Sequence, residues 1–199
     1  MATQLATRRF SVHEYQRMID AGVLAEDEHV ELLDGVIVPK SPTSPRHAAH
    51  VARLDELLRS LLGGRAQVRE EKAITLEPAT QPEPDLAIVR GRSDFYAGSH
   101  PTAGDVLFLI EVAETSLERD RGVKLALYAA AGIPTVWVLD LLGDRLWVAS
   151  VPRGSGYAEL REFRRSDSGR RLALPGVPDD LSLAAGDVLG PPQVASSPA

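Results

Sequence analysis

The sequence predicts one domain of the α/β or α+β class, in which helices pack on a mixed central β-sheet. Two observations support this prediction. Three helix-start signals alternate along the chain with short segments typical of strands. One segment, Asp105 to Val112, is a nearly continuous apolar run of the kind found in a central strand covered on both faces. The length of 199 residues and the 44% hydrophobic content fit a single folded domain.

The first third of the chain predicts a helix followed by a hairpin. Ser11 caps the helix, Glu14 completes a capping box, and the helix runs to about Ile19. Glu28 to Val38 then predicts two strands, joined by a turn at Asp34-Gly35, because Asp-Gly is a strong hairpin signal.

A longer second helix follows a Ser/Pro loop. Ser44 caps it, Pro45 occupies its first turn, and it runs from Arg46 to about Leu62, before Gly63-Gly64 ends it. Its apolar residues recur at helical spacing: Val51, Leu54, Leu57, Leu58, Leu61 and Leu62. We therefore expect one face of this helix to be buried.

The rest of the chain predicts six strands and one more helix. Three strands precede the helix: Ala66 to Leu76, Asp85 to Val89 and Asp105 to Val112. The capping box in Thr115-Ser116-Leu117-Glu118 begins the helix, which reaches about Ala131 before Gly132 and Pro134 end it. Three strands follow: Thr135 to Leu139, Arg145 to Ser150 and Tyr157 to Phe163. We expect residues 1–9 and 190–199 to be flexible and residues 10–189 to form the domain.

Composition excludes several classes of protein. The chain has no cysteine, which rules out a disulfide scaffold, a thiolate zinc site and a cysteine nucleophile. Its net charge of −6 argues against tight, non-specific binding to nucleic acid, although an acidic metal site would itself add negative charge. No apolar run is long enough for a membrane span, and the first residues lack the apolar core of a secretory signal. We therefore expect a cytoplasmic protein with no membrane partner.

Two acidic residues stand beside predicted central strands. Glu111 interrupts an apolar run, and burying a lone carboxylate is costly, so it is either paired, bound to a cation, or solvated because the strand ends at Ile110. Asp85 follows Pro84 and opens the next strand, where it could also serve ordinary turn chemistry. Together, Asp85 and Glu111 would form the oxygen-rich site that a hard divalent ion requires.

Lys124 and Glu31 are further candidates. Asp120, Lys124 and Tyr128 have the spacing i, i+4, i+8 and share one helix face. That face is either solvated and salt-bridged, or it holds Lys124 half-buried with its ammonium over the edge of the sheet. Glu31 lies in a short predicted strand and either points inward or marks the strand end.

Two histidines begin the second helix. His47 and His50 have i, i+3 spacing, which could supply half of a metal site, but no cysteine or third histidine completes it. The other interpretation of His47 is a packed or capping residue. The sequence contains neither a Gly-x-Ser-x-Gly motif nor a phosphate-cradling glycine loop, so a serine hydrolase and a nucleotide-binding protein have no support.

Seven short stretches, taken in their order and spacing, resemble a known family. They are Val30-Glu31-Leu32-Leu33-Asp34-Gly35, Ser44-Pro45-Arg46-His47, Pro84-Asp85-Leu86, Ile110-Glu111-Val112, Lys124-Leu125-Ala126-Leu127-Tyr128, Ala131-Gly132-Ile133-Pro134 and Val136-Trp137-Val138-Leu139-Asp140. Over about residues 10–185 the chain is similar to the Uma2 family of restriction-endonuclease-like proteins, within the PD-(D/E)xK nuclease superfamily. The resemblance implies a restriction-endonuclease-like mixed central β-sheet flanked by helices.

The resemblance also implies a function. It is the hydrolysis of phosphodiester bonds by a metal-dependent endonuclease, with Mg²⁺ or Mn²⁺ as cofactor and nucleic acid, most naturally DNA, as substrate. Asp85 and Glu111, with the backbone carbonyl of Val112, are the implied metal ligands. Glu31 would complete the ligand set or hold a second ion.

One position departs from the general nuclease pattern. That pattern has a lysine two residues after the second acid, where this chain has Ala113. In Uma2-like chains the following helix supplies the lysine, which here is Lys124. Its implied role is to orient the attacking water or to stabilise charge on the phosphoryl oxygens. Tyr128 and His47 are candidates for contacting the ligands.

Two other functions remain open at this stage. The chain could be a catalytically silent nuclease-like fold that acts as a binding or scaffold module, which its acidic charge and Ala113 favour. It could also be a homo-oligomeric interaction protein whose acidic cluster holds a structural metal. A homodimer would suit an enzyme that cuts both strands of a duplex.

Overall fold

The computed structural model of the protein describes residues 7–25, 27–177 and 181–191. Its centre is a six-stranded mixed sheet of order β3-β4-β5-β6-β7-β8. The strands of this sheet are β3 (Ala66–Glu70), β4 (Leu86–Arg90), β5 (Val106–Ala113), β6 (Thr135–Asp140), β7 (Arg145–Arg153) and β8 (Gly156–Arg164). Two short antiparallel pairs accompany it: β1 (Val30–Leu33) with β2 (Val36–Pro39), and β9 (Arg171–Ala173) with β10 (Ser182–Ala184).

The helices flank this sheet. They are α1 (Val12–Asp20), α2 (Pro45–Leu62), α3 (Leu117–Arg119), a π-helical segment (Asp120–Lys124), α4 (Leu125–Ala130) and α5 (Ala185–Leu189). Short 3-10 helices occur at Ala103–Asp105 and Arg165–Asp167. No helix within the described ranges combines the length and the apolar character needed to cross a membrane.

Strands β5 and β6 run parallel, whereas the other neighbouring strands of the central sheet are antiparallel. The crossover between β5 and β6 contains α3, the π-helical segment and α4, so the chain passes over the carboxyl end of β5 before returning to the sheet. This connection brings the π-helical segment beside Glu111.

The two faces of the sheet bury different cores, and β5 contributes to both because successive side chains alternate. Phe108, Ile110 and Val112 pack with α2 and α5, whereas Leu109 and Ala113 pack with Tyr128 of α4. Burial of each large apolar side chain contributes about 1.5–3 kcal/mol. By the same alternation Glu111 belongs to the face that α4 covers.

Most predicted elements are present, and two predictions were wrong. The strand predicted over Ala66 to Leu76 ends at Glu70, because Glu71 adopts a left-handed φ of 46° and its backbone N–H donates to the carbonyl of Asp85 (3.0 Å). The capping box predicted at Thr115 does not form: Ser116 is the N-cap, and its hydroxyl donates to Asp120 instead. Three elements after residue 170 had no predicted counterpart: β9, β10 and α5, which pack on the α2 side of the sheet.

The two ends predicted to be flexible lie only partly within the described residues. At the start, Arg8 pairs with Glu14, and Arg9 pairs with Asp34. At the end, Arg165 donates to the carbonyl oxygens of Gly190 and Pro191. Residues 1–6 and 192–199 lie outside the described residues.

Candidate metal centre

An acidic cleft lies where the β1–β2 hairpin, the first turn of α2 and the carboxyl end of β5 meet. It measures about 500 Å³ when the space open to solvent is included. Seven carboxylates line it: Glu31, Glu71, Glu83, Asp85, Glu111, Glu114 and Asp120. Three basic side chains oppose them: Lys40, Arg119 and Lys124. The cleft is therefore strongly negative and attracts cations.

The innermost part of the cleft is a buried charge cluster around Lys124. Its ammonium lies 3.2 Å from Glu31 Oε2 and 3.3 Å from Glu111 Oε1. The Tyr128 hydroxyl donates to the same Glu111 oxygen at 2.5 Å. All four residues are at most 5% exposed. One ammonium thus compensates two buried carboxylates, and a phenol satisfies part of the hydrogen bonding of Glu111.

Burial shifts the titration of these groups. It raises the pKa of Glu111, and the Lys124 charge opposes that rise only in part. Burial lowers the pKa of Lys124, but the nearby carboxylates, led by Glu111, outweigh it and the net shift is upward. Burial and the Glu111 charge hold the pKa of Tyr128 well above its ordinary value. Lys124 therefore stays charged, and Tyr128 keeps its proton, at neutral pH.

Asp85 links the cleft to both α2 and β5. Its Oδ2 accepts the backbone N–H of Val112 at 2.6 Å, and its Oδ1 lies 3.3 Å from His47 Nε2. The hydrogen bond to Asp85 raises the pKa of His47 against the effect of burial, and the backbone of Val112 adds to the rise. Ser44 accepts the backbone N–H of His47 at 3.1 Å, which orients the first turn of α2 towards the cleft.

Glu71 is a site residue that the sequence did not reveal. The donor atoms of His47, Glu71 and Asp85 lie within 4.8 Å of one another. The turn at Glu71 brings its side chain to the cleft. The sequence predicted a continuous strand through residue 76 and therefore no turn at this position. Its signal in the sequence is weak, since adjacent acids such as Glu70-Glu71 are common on surfaces.

The sequence spacing places Asp120 on the same helix face as Lys124 but predicts no role for it. It is 3% exposed, accepts from the Ser116 hydroxyl at 2.5 Å, and has its pKa raised by burial. The π-helical segment spans Asp120 to Lys124, and both end residues line the cleft. Single π-turns of this kind are frequent at functional sites.

The structure gathers the sequence-predicted candidates at one place. The cleft is lined by Glu31, His47, Asp85, Glu111, Val112 and Lys124. Tyr128 lies directly behind Glu111. His50, one turn further along α2, does not join them: it is buried, and its Nδ1 lies 2.9 Å from the Arg46 carbonyl oxygen.

The donor set of the cleft fits a divalent cation. Hard ions such as Mg²⁺ and Mn²⁺ prefer carboxylate, carbonyl and water oxygens, and an imidazole nitrogen suits several transition ions. Asp85 and Glu71 supply carboxylates beside the His47 ring, and Glu111 lies next along the same cleft. The surplus of acids supplies the opposite charge that such an ion would need.

A match to the sequence model of a known family establishes the family of this chain. The model of the family described as "Uma2: Putative restriction endonuclease" matches residues 12–186. The chain belongs to the Uma2 family. The resemblance predicted from seven short stretches is thereby confirmed. No curated protein matches the sequence.

A solved structure supports the fold of this Uma2 chain. The crystal structure of a protein from Anabaena variabilis ATCC 29413, described as a putative nuclease belonging to DUF820, superposes with a TM-score of 0.71. The match covers 90% of this chain and 97% of the other at 17% identity, so it demonstrates a shared fold. The predicted mixed central sheet flanked by helices is confirmed.

Proposed function

We propose that this Uma2 chain is a metal-dependent endonuclease that hydrolyses phosphodiester bonds in DNA. The observation that carries the proposal is the convergence of Asp85, Glu111 and Lys124 in one acidic cleft. Asp85 immediately precedes β4, Glu111 lies in β5, and Lys124 lies in the crossover between β5 and β6. The description of the family as restriction endonucleases supports the same reaction class.

Asp85 and Glu111, with the backbone carbonyl of Val112, would hold Mg²⁺ or Mn²⁺. Glu31 would complete this ligand set or hold a second ion. When bound, such an ion polarises a phosphate oxygen and lowers the pKa of a coordinated water. His47 and Glu71 lie close enough to Asp85 to contribute to the same site.

The protein's own groups orient the reactants. Lys124, charged at neutral pH, orients the attacking water or stabilises negative charge on the phosphoryl oxygens. Tyr128 holds the Glu111 carboxylate through its hydroxyl, and the Val112 N–H holds the Asp85 carboxylate. Because these hydrogen bonds exist before substrate arrives, little reorganisation is required during the reaction.

The substrate and assembly belong to the same proposal. A net charge of −6 leaves little general attraction for a phosphate backbone, so the bound ion would supply much of the local attraction. Two copies related by a two-fold axis would cut both strands of a duplex.

The test uses purified protein, plasmid DNA and an RNA of similar length, each with Mg²⁺ or Mn²⁺ and with EDTA. We expect DNA cleavage that requires the ion. Asp85→Asn and Glu111→Gln should each lower the cleavage rate by about 10²–10³-fold, the range typical of lost electrostatic groups. Glu159→Gln, an exposed acid on β8, is the matched control and should leave the rate unchanged.

Calorimetric titration with Mn²⁺ and thermal melting of each variant accompany the rate measurements. Cleavage that survives in folded Asp85→Asn would show that the site is wrongly assigned. If the wild type binds Mn²⁺ but cleaves neither nucleic acid, the alternative, a nuclease-like fold that binds or scaffolds, replaces the endonuclease.

A further inference from the structure

A second, larger groove continues from the acidic cleft along strand β3. It measures about 1750 Å³ with the space open to solvent, and it shares Lys40, Glu71 and Glu83 with the cleft. Its walls include Arg69, Lys72 and Phe95. A molecule bound in the cleft could therefore extend into this groove without a break.

The backbone turns an aromatic side chain outward in this groove. Phe95 and Tyr96 both have left-handed φ values, 51° and 60°, which bulky residues rarely adopt. Tyr96 is 5% exposed and its hydroxyl donates to the Arg90 carbonyl at 2.8 Å, whereas Phe95 is 73% exposed. Strained backbone of this kind concentrates at functional sites.

The surrounding contacts hold this turn in place. The Arg92 and Arg69 guanidinium groups lie 4.5 and 5.5 Å from the centre of the Tyr96 ring. Arg92 also makes two hydrogen bonds to the Asp94 carboxylate, at 2.9 and 2.6 Å. Arg69 donates to the Phe95 carbonyl at 3.4 Å, which ties the turn to β3. The position of Phe95 relative to the cleft is thus defined.

The charges of the groove are divided along its length. Near the cleft, Lys40 is paired with Glu83 at 3.0 Å, and Glu71 faces Asp85 and His47. Towards Phe95, Arg69 brings positive charge to the wall, and the exposed Lys72 adds a second cation to the groove. Glu70 also lines the groove, and its negative charge acts on the nearby Arg59 guanidinium. A phosphate backbone would meet cations after it leaves the cleft.

The distances suit a nucleic-acid strand. Arg69 of β3 precedes Glu71 by two positions, a separation of at most about 7 Å, and its guanidinium contacts the Phe95 carbonyl. Successive bases of a stacked strand are about 3.4 Å apart, so Phe95 lies within a few nucleotides of a phosphate in the cleft. Exposed aromatic rings stack on bases of any sequence, provided that one face of the base is free.

We propose that the groove holds the substrate strand beside the cleavage site and that Phe95 stacks on an unpaired base. This inference rests on the proposed endonuclease and specifies its substrate: DNA with unpaired nucleotides next to the bond that is cut. A fully paired base has its faces covered by neighbours and offers nothing for Phe95 to stack on.

The test is fluorescence anisotropy with a fluorescein-labelled 12-nucleotide DNA single strand and with the same strand in a duplex, at low salt and with Ca²⁺, another hard cation that takes oxygen ligands, in place of Mg²⁺ or Mn²⁺. We expect the wild type to bind the single strand more tightly. Phe95→Ala should weaken single-strand binding by about five- to a hundredfold, the range measured for loss of one stacked base. Phe95→Trp should retain the affinity.

The matched control is Leu160→Ala. Leu160 is another exposed apolar side chain, but it lies on β8, at the opposite edge of the sheet from β3. This variant should bind within twofold of the wild type. A series of strands with one abasic position should contain one strand for which the wild type and Phe95→Ala bind equally. Thermal melting confirms that each variant is folded.

The outcomes separate this inference from the proposed function. If the wild type cleaves DNA in an Asp85-dependent manner but folded Phe95→Ala binds like the wild type, the groove inference is wrong and the endonuclease stands. If binding depends on Phe95 but nothing is cleaved, the groove stands and the endonuclease fails. Absence of single-strand binding, or a preference for the duplex, overturns the groove inference.

Discussion

Lys124 and Arg92 both pair with carboxylates, but in opposite environments. The Lys124 side chain is 6% exposed, between Glu31 and Glu111 at 1% and 3%, whereas the Arg92 and Asp94 side chains are 40% and 44% exposed. Water screens the outer pair, so its net contribution is small. The charged groups of the inner cluster lose their hydration on folding, and this cost offsets much of their mutual attraction. Apolar residues of equal volume in the same place often stabilise a protein as well. The inner cluster therefore contributes little net stability beyond what an apolar core would give, which agrees with a chemical role.

The largest effect should follow from removal of the shared cation. Lys124→Met leaves Glu31 and Glu111 buried without a counter-charge, and we expect the free energy of unfolding to fall by about 3–5 kcal/mol. Urea denaturation followed by circular dichroism measures this. A change below about 1 kcal/mol would mean that Lys124 does not stabilise these carboxylates.

The outer pair supplies the control for this measurement. Arg92→Gln removes a cation that contacts the Asp94 carboxylate and the Tyr96 ring. Asp94 is exposed to solvent, and Arg69 also contacts the ring. Its urea midpoint should lie close to that of the wild type. Equal losses of unfolding free energy in Lys124→Met and Arg92→Gln would show that burial does not make the inner cluster more sensitive than the exposed pair.

A smaller effect should follow from removal of the phenol behind Glu111. Tyr128→Phe leaves a buried carboxylate oxygen without one of its donors, and we expect a loss of about 1–3 kcal/mol in unfolding free energy. Tyr157→Phe is the matched control, because its hydroxyl donates to a neutral acceptor, the Ile133 carbonyl, at 2.9 Å. The Tyr128 variant should lose more, since hydrogen bonds to charged groups are the stronger ones. Identical losses would argue against a charged Glu111.

The smallest effect concerns His50, a buried histidine whose nearby charges in the described part of the chain are those of arginines. Burial lowers the pKa of His50 below its ordinary value of about 6.5. The unfolded chain therefore takes up this proton more readily, so the contribution of His50 to stability is complete above about pH 6.5 and declines as the pH falls. The difference in urea midpoint between pH 7.5 and pH 5 should be smaller in His50→Gln than in the wild type. An unchanged difference would assign the acid sensitivity to other groups.

The sequence predicted the fold better than it predicted the partners of each charged group. The caps at Ser11 and Ser44 and the Asp-Gly hairpin are local signals, and the structure confirms the elements that they predict. The end of β3 at Glu70 was predicted wrongly, and the elements after residue 170 were missed. Their conformations depend on distant contacts, such as the Glu71 N–H to the Asp85 carbonyl, which no local window contains.

Local patterns in the chain singled out two side chains that fit poorly in an ordinary core: an acid inside an apolar strand, and a lysine where a helix becomes apolar. Long-range packing established that one ammonium serves both Glu31 and Glu111, that Glu71 turns towards Asp85, and that burial of Tyr96 leaves Phe95 in solvent. The two kinds of information differ in the distance over which they act. Capping and periodicity act within a few residues, whereas the cluster joins atoms from Glu31 to Lys124, and burial exists only after the sheet has formed.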